Sequence, residues 1–92
     1  MDPEASKKRL LFFYGRECEF CHQMMPLIDR AEKELGIKFE RFETWHDENN
    51  AHELTMYDKD FCGGVPFFYN TEIEQWICGA TDYETLIRFM RA

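Results

Sequence analysis

Length, composition and charge limit the classes of protein to which this chain can belong. Its 92 residues suit a single domain over residues 9–92, preceded by a flexible tail of residues 1–8, and 45% hydrophobic residues exclude a disordered chain. The formal net charge of −7 argues against a nucleic-acid partner, because phosphate binding needs clustered lysine and arginine. No apolar run suits a secretory signal or a membrane span, so we expect a cytoplasmic protein with no membrane partner. We also expect a monomer.

The first half of the domain has the pattern of a buried strand followed by a helix. Residues 10–14 form a continuous apolar run closed by Gly15, which is typical of a strand buried on both faces. From residue 19 to residue 35 the apolar positions recur at helical spacing, and Gly36 follows as a C-terminal stop. Pro26 lies inside this segment and should bend the helix.

The second half of the domain predicts three strands and two helices. Residues 37–43 alternate with a period of two, which indicates a strand with one covered face. A short helix is predicted over residues 51–57, and two strands, 65–69 and 74–78, form a hairpin. Thr81 is the expected N-cap of the last helix. The order β-α-β-α-β-β-α predicts an α/β fold in which a four-stranded mixed sheet is flanked by three helices.

Four cysteines carry the chemistry that the sequence suggests. Cys18 and Cys21 are separated by two residues and precede His22, which suits a redox dithiol, half of a metal site or a c-type haem attachment. Haem attachment is the weakest of the three, because neither an export signal nor a haem-wrapping helical bundle is indicated. A metal site would need two further ligands. Cys62 is open to a regulatory disulfide, a metal ligand or an idle loop thiol, and Cys78 is expected to be a small buried hydrophobe. We expect no metal and no organic cofactor.

The CxxC segment lies where the first strand turns into the first helix, and that position favours a thiolate. The unpaired N–H groups and the positive dipole end of a helix N-terminus stabilise an anion. The pKa of the Cys18 thiol should therefore fall modestly below the free value of about 8.5, with Cys21 one turn deeper. These positions predict that Cys18 attacks a disulfide and that Cys21 resolves the mixed disulfide. Glu17 and Glu19 are expected to raise that pKa. Arg16 and His22 are expected to lower it.

The chain resembles the thioredoxin superfamily, in particular the small thioredoxins and glutaredoxins. A combination of motifs carries the resemblance: a CxxC after the first strand, Pro26 five residues after the second cysteine, and Gly64-Val65-Pro66 at the third strand. Gly79 and the final helix match the closing elements of the family. The resemblance covers nearly the whole chain and implies the thioredoxin fold.

The resemblance also implies a substrate-binding segment beside the cysteines. It implies that the Val65–Pro66 bond is cis, that Pro66 packs beside the disulfide and that the backbone of Val65 pairs with an extended substrate. Phe12 stands where thioredoxins carry a buried acid, which leaves the proton acceptor for Cys21 unassigned. The predicted substrate-binding residues are Gly64, Val65, Pro66 and Phe20.

The predicted function is thiol–disulfide exchange. The protein is expected to reduce or exchange disulfides in a protein or a glutathione-type substrate, and an unidentified reductant recycles the dithiol. The alternative is a thioredoxin-like binding module whose CxxC is non-catalytic or holds a metal. Trp45 and His46, which follow the second strand, are either substrate-loop residues or a cover for the edge of the core.

Overall fold

One mixed sheet organises the chain in the computed structural model, which describes residues 9–59 and 62–92. Its four strands are β1 (Leu10–Tyr14), β2 (Phe39–Glu43), β3 (Phe67–Asn70) and β4 (Gln75–Cys78). The spatial order is β2-β1-β3-β4; β1 pairs in parallel with β2 and antiparallel with β3, and β3 pairs antiparallel with β4. The predicted tail, residues 1–8, lies outside the described residues.

Three helices accompany the sheet in the described part of the chain: α1 (Glu19–Leu35), α2 (Glu48–Asp58) and α3 (Tyr83–Arg91). The predicted α/β fold, a four-stranded mixed sheet with three helices, is confirmed. α2 begins earlier than predicted, because the carboxylate of Asp47 accepts hydrogen bonds from two backbone N–H groups of the first turn. The N-cap of α3 is Asp82, whose Oδ1 accepts from Thr85 N at 2.8 Å, so the prediction of Thr81 is wrong. None of these described helices has the length and apolar character needed to cross a bilayer.

β1 is buried on both faces and divides the core into two layers. On one side Phe12 lies among buried residues of α1 and α3, including Ile28 and Met90. On the other side Phe13 lies with Phe67 and is covered by half-buried side chains of α2. Phe12 and Phe13 have no exposed surface, so the burial of each side chain stabilises the fold by about 1.5–3 kcal/mol. The predicted strand with two buried faces is confirmed.

The C-terminal ends of β1 and β2 meet at one edge of the sheet, because the two strands run parallel with Tyr14 opposite Glu43. Thr44 fastens the two strand ends together, since its N–H and its Oγ1 donate to the carbonyl oxygen of Tyr14 at 2.7 and 3.1 Å. The segments that follow β1 and β2 therefore lie side by side, and this edge of the sheet carries the candidate site.

Candidate active site

The turn between β1 and α1 places Cys18 at the N-cap of the helix. Cys18 has φ −75° and ψ 112°, and its N–H donates to the carbonyl oxygen of Gly15 at 3.0 Å. Its Sγ accepts a hydrogen bond from Cys21 N at 3.2 Å. A sulfur at this position receives a helix N–H and lies at the positive end of the helix dipole, so a negative charge on it is stabilised. This position agrees with the one predicted from the sequence.

Cys18 and Cys21 form a disulfide, with their Cα atoms 5.2 Å apart. Cys18 keeps 5% of its surface exposed, whereas Cys21 has none and packs among the apolar residues of the core. Of the two cysteines, Cys18 is therefore the one that a substrate can reach. Cys21 is placed to react with a sulfur that is already bound at Cys18.

The segment before β3 lies beside the disulfide. The Val65–Pro66 peptide bond is cis, and the carbonyl oxygen of Val65 lies 3.9 Å from the Sγ of Cys18. Pro66 is fully buried, and its carbonyl oxygen accepts a hydrogen bond from Gly79 N at 2.8 Å. This bond holds the segment against the end of β4. The structure thus brings the two cysteines together with Val65 and Pro66.

The two other predicted substrate-binding residues, Phe20 and Gly64, lie close to Cys18 and Val65 in the chain and have open space around them. Phe20, on the first turn of α1, has 60% of its surface exposed. A Cβ built on Gly64 would have no heavy atom within 4 Å. An exposed aromatic ring and an open stretch of backbone next to Val65 are suited to contact an incoming chain.

The four predicted tuning residues have different surroundings. The ring Nε2 of His22 hydrogen bonds to the carbonyl oxygen of Arg16, which ties the first turn of α1 to the preceding loop. The carboxylate of Glu17 accepts from His46 Nε2 at 2.6 Å, and this hydrogen bond lowers the pKa of Glu17. Glu19 is an exposed acid in the first turn of α1, where the helix dipole favours its charge. His22 and Glu17 thus help to hold the turn, and the effect of all four residues on the Cys18 thiol stays a prediction.

Glu43, which sequence reasoning missed, fastens the Cys18 turn to the loop after β2. Its Oε2 accepts hydrogen bonds from Arg16 N at 2.8 Å and Trp45 N at 3.2 Å, and its Oε1 accepts from His46 N at 2.8 Å. Desolvation raises the pKa of Glu43, but the three backbone donors outweigh it, and the net pKa is lowered. Parallel pairing was the signal for this contact, because it brings the last residue of β2 next to the turn that follows β1.

Trp45 packs over Gly15 and explains why a glycine stands there. A Cβ built on Gly15 would lie 2.2 Å from Cδ2 of Trp45, so a larger residue would displace the ring. Trp45 nevertheless keeps 54% of its surface exposed, and it therefore covers the turn rather than filling the core. We call this set of interacting residues the turn clamp: Gly15, Arg16, Glu17, Glu43, Trp45 and His46.

Cys62 and Cys78 form a second disulfide, with their Cα atoms 5.5 Å apart. The prediction that Cys78 is a small buried hydrophobe is wrong: β4 is an edge strand, and Cys78 at its end is exposed. For Cys62, which the sequence left open to three roles, the structure shows a disulfide. Residues 9–59 and 62–92 contain no group of three or more His, Cys, Asp or Glu side chains arranged to hold a metal ion.

The fold is similar to that of two thioredoxins of known structure. Thioredoxin f from spinach chloroplast (short form) matches with a TM-score of 0.68 and 22% identity, over 94% of this chain and 78% of that chain. Thioredoxin from Aeropyrum pernix matches with a TM-score of 0.68 and 20% identity, over 99% of this chain and 82% of that chain. No protein-family model and no curated protein sequence matches the chain.

These similarities establish that the chain has the thioredoxin fold. Within that fold, the Cys18–Cys21 pair has CxxC spacing and lies at the start of α1. A cysteine pair in this position fits a thiol–disulfide oxidoreductase.

Proposed function

We propose that the protein is a thiol–disulfide oxidoreductase that reduces or exchanges disulfides through Cys18 and Cys21. The N-cap position of Cys18 carries the proposal: its Sγ accepts the N–H of Cys21 at 3.2 Å and lies 3.9 Å from the carbonyl oxygen of Val65. One sulfur is thus held where a thiolate is stabilised, next to its resolving partner and to a backbone segment suited to bind an extended substrate.

The reaction starts from the reduced pair, with Cys18 as thiolate and Cys21 as thiol. The thiolate attacks one sulfur of the substrate disulfide; a Cys18–substrate bond forms, the substrate S–S bond breaks, and the other substrate sulfur leaves as a thiolate. That thiolate takes the proton of Cys21. Cys21 then attacks the Sγ of Cys18, which releases the second substrate sulfur and forms the Cys18–Cys21 disulfide present in the structure. Two electrons pass to the substrate, and a thiol reductant restores the pair.

The surroundings of Cys18 favour protein disulfides over a glutathione-type substrate. A polypeptide segment can pair with the backbone of Val65 as an added strand while the exposed ring of Phe20 contacts its side chains. Glutathione disulfide offers a shorter backbone and carries a net negative charge. The carboxylates of Glu17 and Glu19 flank Cys18 in sequence and repel such an anion.

Reduction of insulin disulfides, with dithiothreitol as electron donor, tests the proposal. We expect the wild-type protein to accelerate the reaction and Cys18→Ser to leave it at the uncatalysed rate. Cys21→Ser should accumulate a mixed disulfide with insulin, visible as a mass increase under non-reducing conditions, because the resolving sulfur is absent. Glutathione disulfide assayed in parallel is expected to be the poorer substrate. A Cys18→Ser protein as active as the wild type would remove the oxidoreductase proposal.

A further inference from the structure

We propose that Cys62 and Cys78 form a second, reversible thiol–disulfide couple, whose redox state controls how firmly the Val65–Pro66 segment is held beside Cys18. The couple is a modification site separate from the proposed catalytic pair, and it reacts with a small dithiol or the oxidised form of that dithiol. Its effect on substrate binding rests on the proposed function, whereas its own redox chemistry does not.

The two disulfides differ in their accessibility to a small thiol. Cys78 is exposed at the end of β4 and Cys62 is half-buried, whereas Cys18 is 5% exposed and Cys21 is enclosed. Exchange requires an attacking thiolate to reach one sulfur of the bond. A dithiol that approaches from solvent can therefore reach Cys78 without prior unfolding of the protein.

A dithiol opens the Cys62–Cys78 disulfide in two exchange steps. One thiolate of the dithiol attacks the Sγ of Cys78, the Cys62–Cys78 bond breaks, and Cys62 leaves as a thiolate that takes up a proton. The second thiol of the reagent then displaces Cys78 as a thiol and closes a cyclic disulfide. Two electrons and two protons pass from the dithiol to the pair, and the oxidised reagent drives the reverse reaction.

The disulfide is one of the contacts that hold residues 62–66 in place. The carboxylate of Asp58, a residue with 5% exposure, accepts hydrogen bonds from Cys62 N at 2.6 Å and Gly63 N at 2.8 Å. At the other end, Gly79 N donates to the carbonyl oxygen of Pro66 at 2.8 Å. Gly63 has φ +78°, and a Cβ built on Gly63 or on Gly64 would have no heavy atom within 4 Å. Open space therefore lies beside the two glycines between Cys62 and Val65, and their backbone can rearrange.

The covalent link restricts where Val65 lies. Cys62 is three residues before Val65 and is bonded to Cys78 at the end of β4. Cys62 and Val65 also pack against the same buried layer of the core, so a displacement of one disturbs the packing of the other. Opening the disulfide leaves the loop held by hydrogen bonds and packing. We expect the carbonyl oxygen of Val65 then to sample positions further from the Sγ of Cys18 than the 3.9 Å of the oxidised state.

The first test measures the couple by itself, in a Cys18→Ala/Cys21→Ala variant. The variant is equilibrated with mixtures of reduced and oxidised dithiothreitol and alkylated without denaturant. Mass spectrometry then gives the number of alkyl groups per molecule. We expect no alkylation in the oxidised protein and two alkyl groups gained in a single two-electron transition. Alkylation before reduction, or reduction only after denaturant is added, would overturn the proposal. Peptide mapping of alkylated wild-type protein answers the same question if the variant does not fold.

The second test measures the loop by amide hydrogen exchange. The N–H groups of Cys62 and Gly63, which a buried carboxylate protects in the oxidised protein, should exchange about tenfold faster or more after reduction. The N–H of Thr44, which follows β2 and donates to the carbonyl oxygen of Tyr14, is the internal control, and its exchange rate should not change. A Cys62→Ala/Cys78→Ala variant should exchange rapidly under both conditions. Equal exchange in the oxidised and reduced wild type would refute the loosening.

The third test measures the consequence for the proposed reaction. The assay runs without dithiothreitol, as the oxidation of a reduced peptide dithiol with glutathione disulfide as electron acceptor, so that the Cys62–Cys78 bond of the wild type stays closed. In the Cys62→Ala/Cys78→Ala variant, the KM for the peptide should rise by about tenfold with a much smaller change in kcat, because substrate pairing at Val65 is weakened and the Cys18 sulfur is untouched. An unchanged KM would break the link between the couple and substrate binding. If the proposed function itself is wrong, the wild type also shows only background rates, while the first two tests still give their expected results.

Discussion

The two disulfides of the chain differ in the length of loop that they close and in the groups around each sulfur. Cys18–Cys21 spans one helical turn, is shielded from solvent and has one sulfur bonded by a helix N–H. Cys62–Cys78 joins a loop to an edge strand across 16 residues and leaves one cysteine exposed. The first closes a short ring, so it restricts the unfolded chain less than the second, which closes a longer loop. We expect the helix N-terminus to favour reduction of the first, because a thiolate at Cys18 would lie at the positive end of the helix dipole. The two bonds should therefore respond differently to substitution and to a reductant.

Removal of the longer-range disulfide is expected to have the largest effect on stability. Under oxidising conditions, Cys62→Ala/Cys78→Ala should lower the free energy of unfolding by about 3 kcal/mol, the chain-entropy value for a loop of about 15 residues. Cys18→Ala/Cys21→Ala opens a much shorter ring and should lower it by about 2 kcal/mol. Urea unfolding followed by tryptophan fluorescence measures both differences.

The same unfolding experiment in excess dithiothreitol is the control for that comparison. The wild type then lacks both crosslinks, so most of its advantage over each variant should disappear. Equal free energies of unfolding for the two variants under oxidising conditions would contradict the loop-length argument.

The next largest effect is expected from an added methyl group. It should destabilise the tightly packed loop at Cys18 and be tolerated in the open loop after Cys62. Gly15→Ala places a Cβ 2.2 Å from Cδ2 of Trp45, so the ring must move, and this overpacking should cost about 1–3 kcal/mol of stability. Gly64→Ala is the matched control: its Cβ meets no heavy atom within 4 Å, and stability should change by less than about 0.5 kcal/mol. Urea unfolding and the emission of Trp45 in a Trp76→Phe background report both effects. An unchanged emission and stability in Gly15→Ala would show that Trp45 does not constrain the turn.

In the reduced protein, the pKa of the Cys18 thiol should differ from the pKa of the Cys78 thiol. The helix N-terminus is expected to lower the pKa of the Cys18 thiol below the free value of about 8.5, whereas Cys78 lies on a strand and has no helix dipole to lower the pKa of its thiol. The rate of iodoacetamide alkylation as a function of pH, resolved by peptide mapping, gives both midpoints. Coincident midpoints would mean that the N-cap position does not activate Cys18.

Local patterns predicted the order of the elements and the centre of the site. The apolar run of β1 and the helical spacing of α1 depend on neighbouring residues alone, so their bounds agree closely with the structure. Cys18 could be placed at the N-cap for the same reason, since the turn between the two elements is short. The N-cap of α3 was missed by one residue, because Thr81 and Asp82 are both good caps and the local sequence does not choose between them.

Contacts between distant segments could not be predicted in the same way. The burial of Cys78 depends on whether β4 is a central or an edge strand, and the alternation of its residues does not reveal this. The Cys62–Cys78 bond and the three hydrogen bonds to Glu43 depend on which segments the sheet topology makes neighbours. The position of the Cys18–Cys21 pair could therefore be predicted better than the contacts that hold its surroundings.

The smallest expected effect is the pH dependence of the turn clamp. The pKa of Glu43 in the folded protein lies below its ordinary value of 4.5, because three backbone donors outweigh the opposing desolvation. The folded state thus binds fewer protons here than the unfolded state, so this contribution is complete above about pH 4.5 and is lost as pH falls through the lowered pKa. Glu43→Gln should be less stable than the wild type at neutral pH, and the difference in the free energy of unfolding should narrow as the pH falls below about 4.5. Urea unfolding across this range measures the difference, with Glu53→Gln, at an exposed position of α2, as the control. A difference that stays constant down to the lowest pH would mean that the charge of Glu43 does not hold the clamp, and that the turn at Cys18 depends on the packing of Trp45 over Gly15 instead.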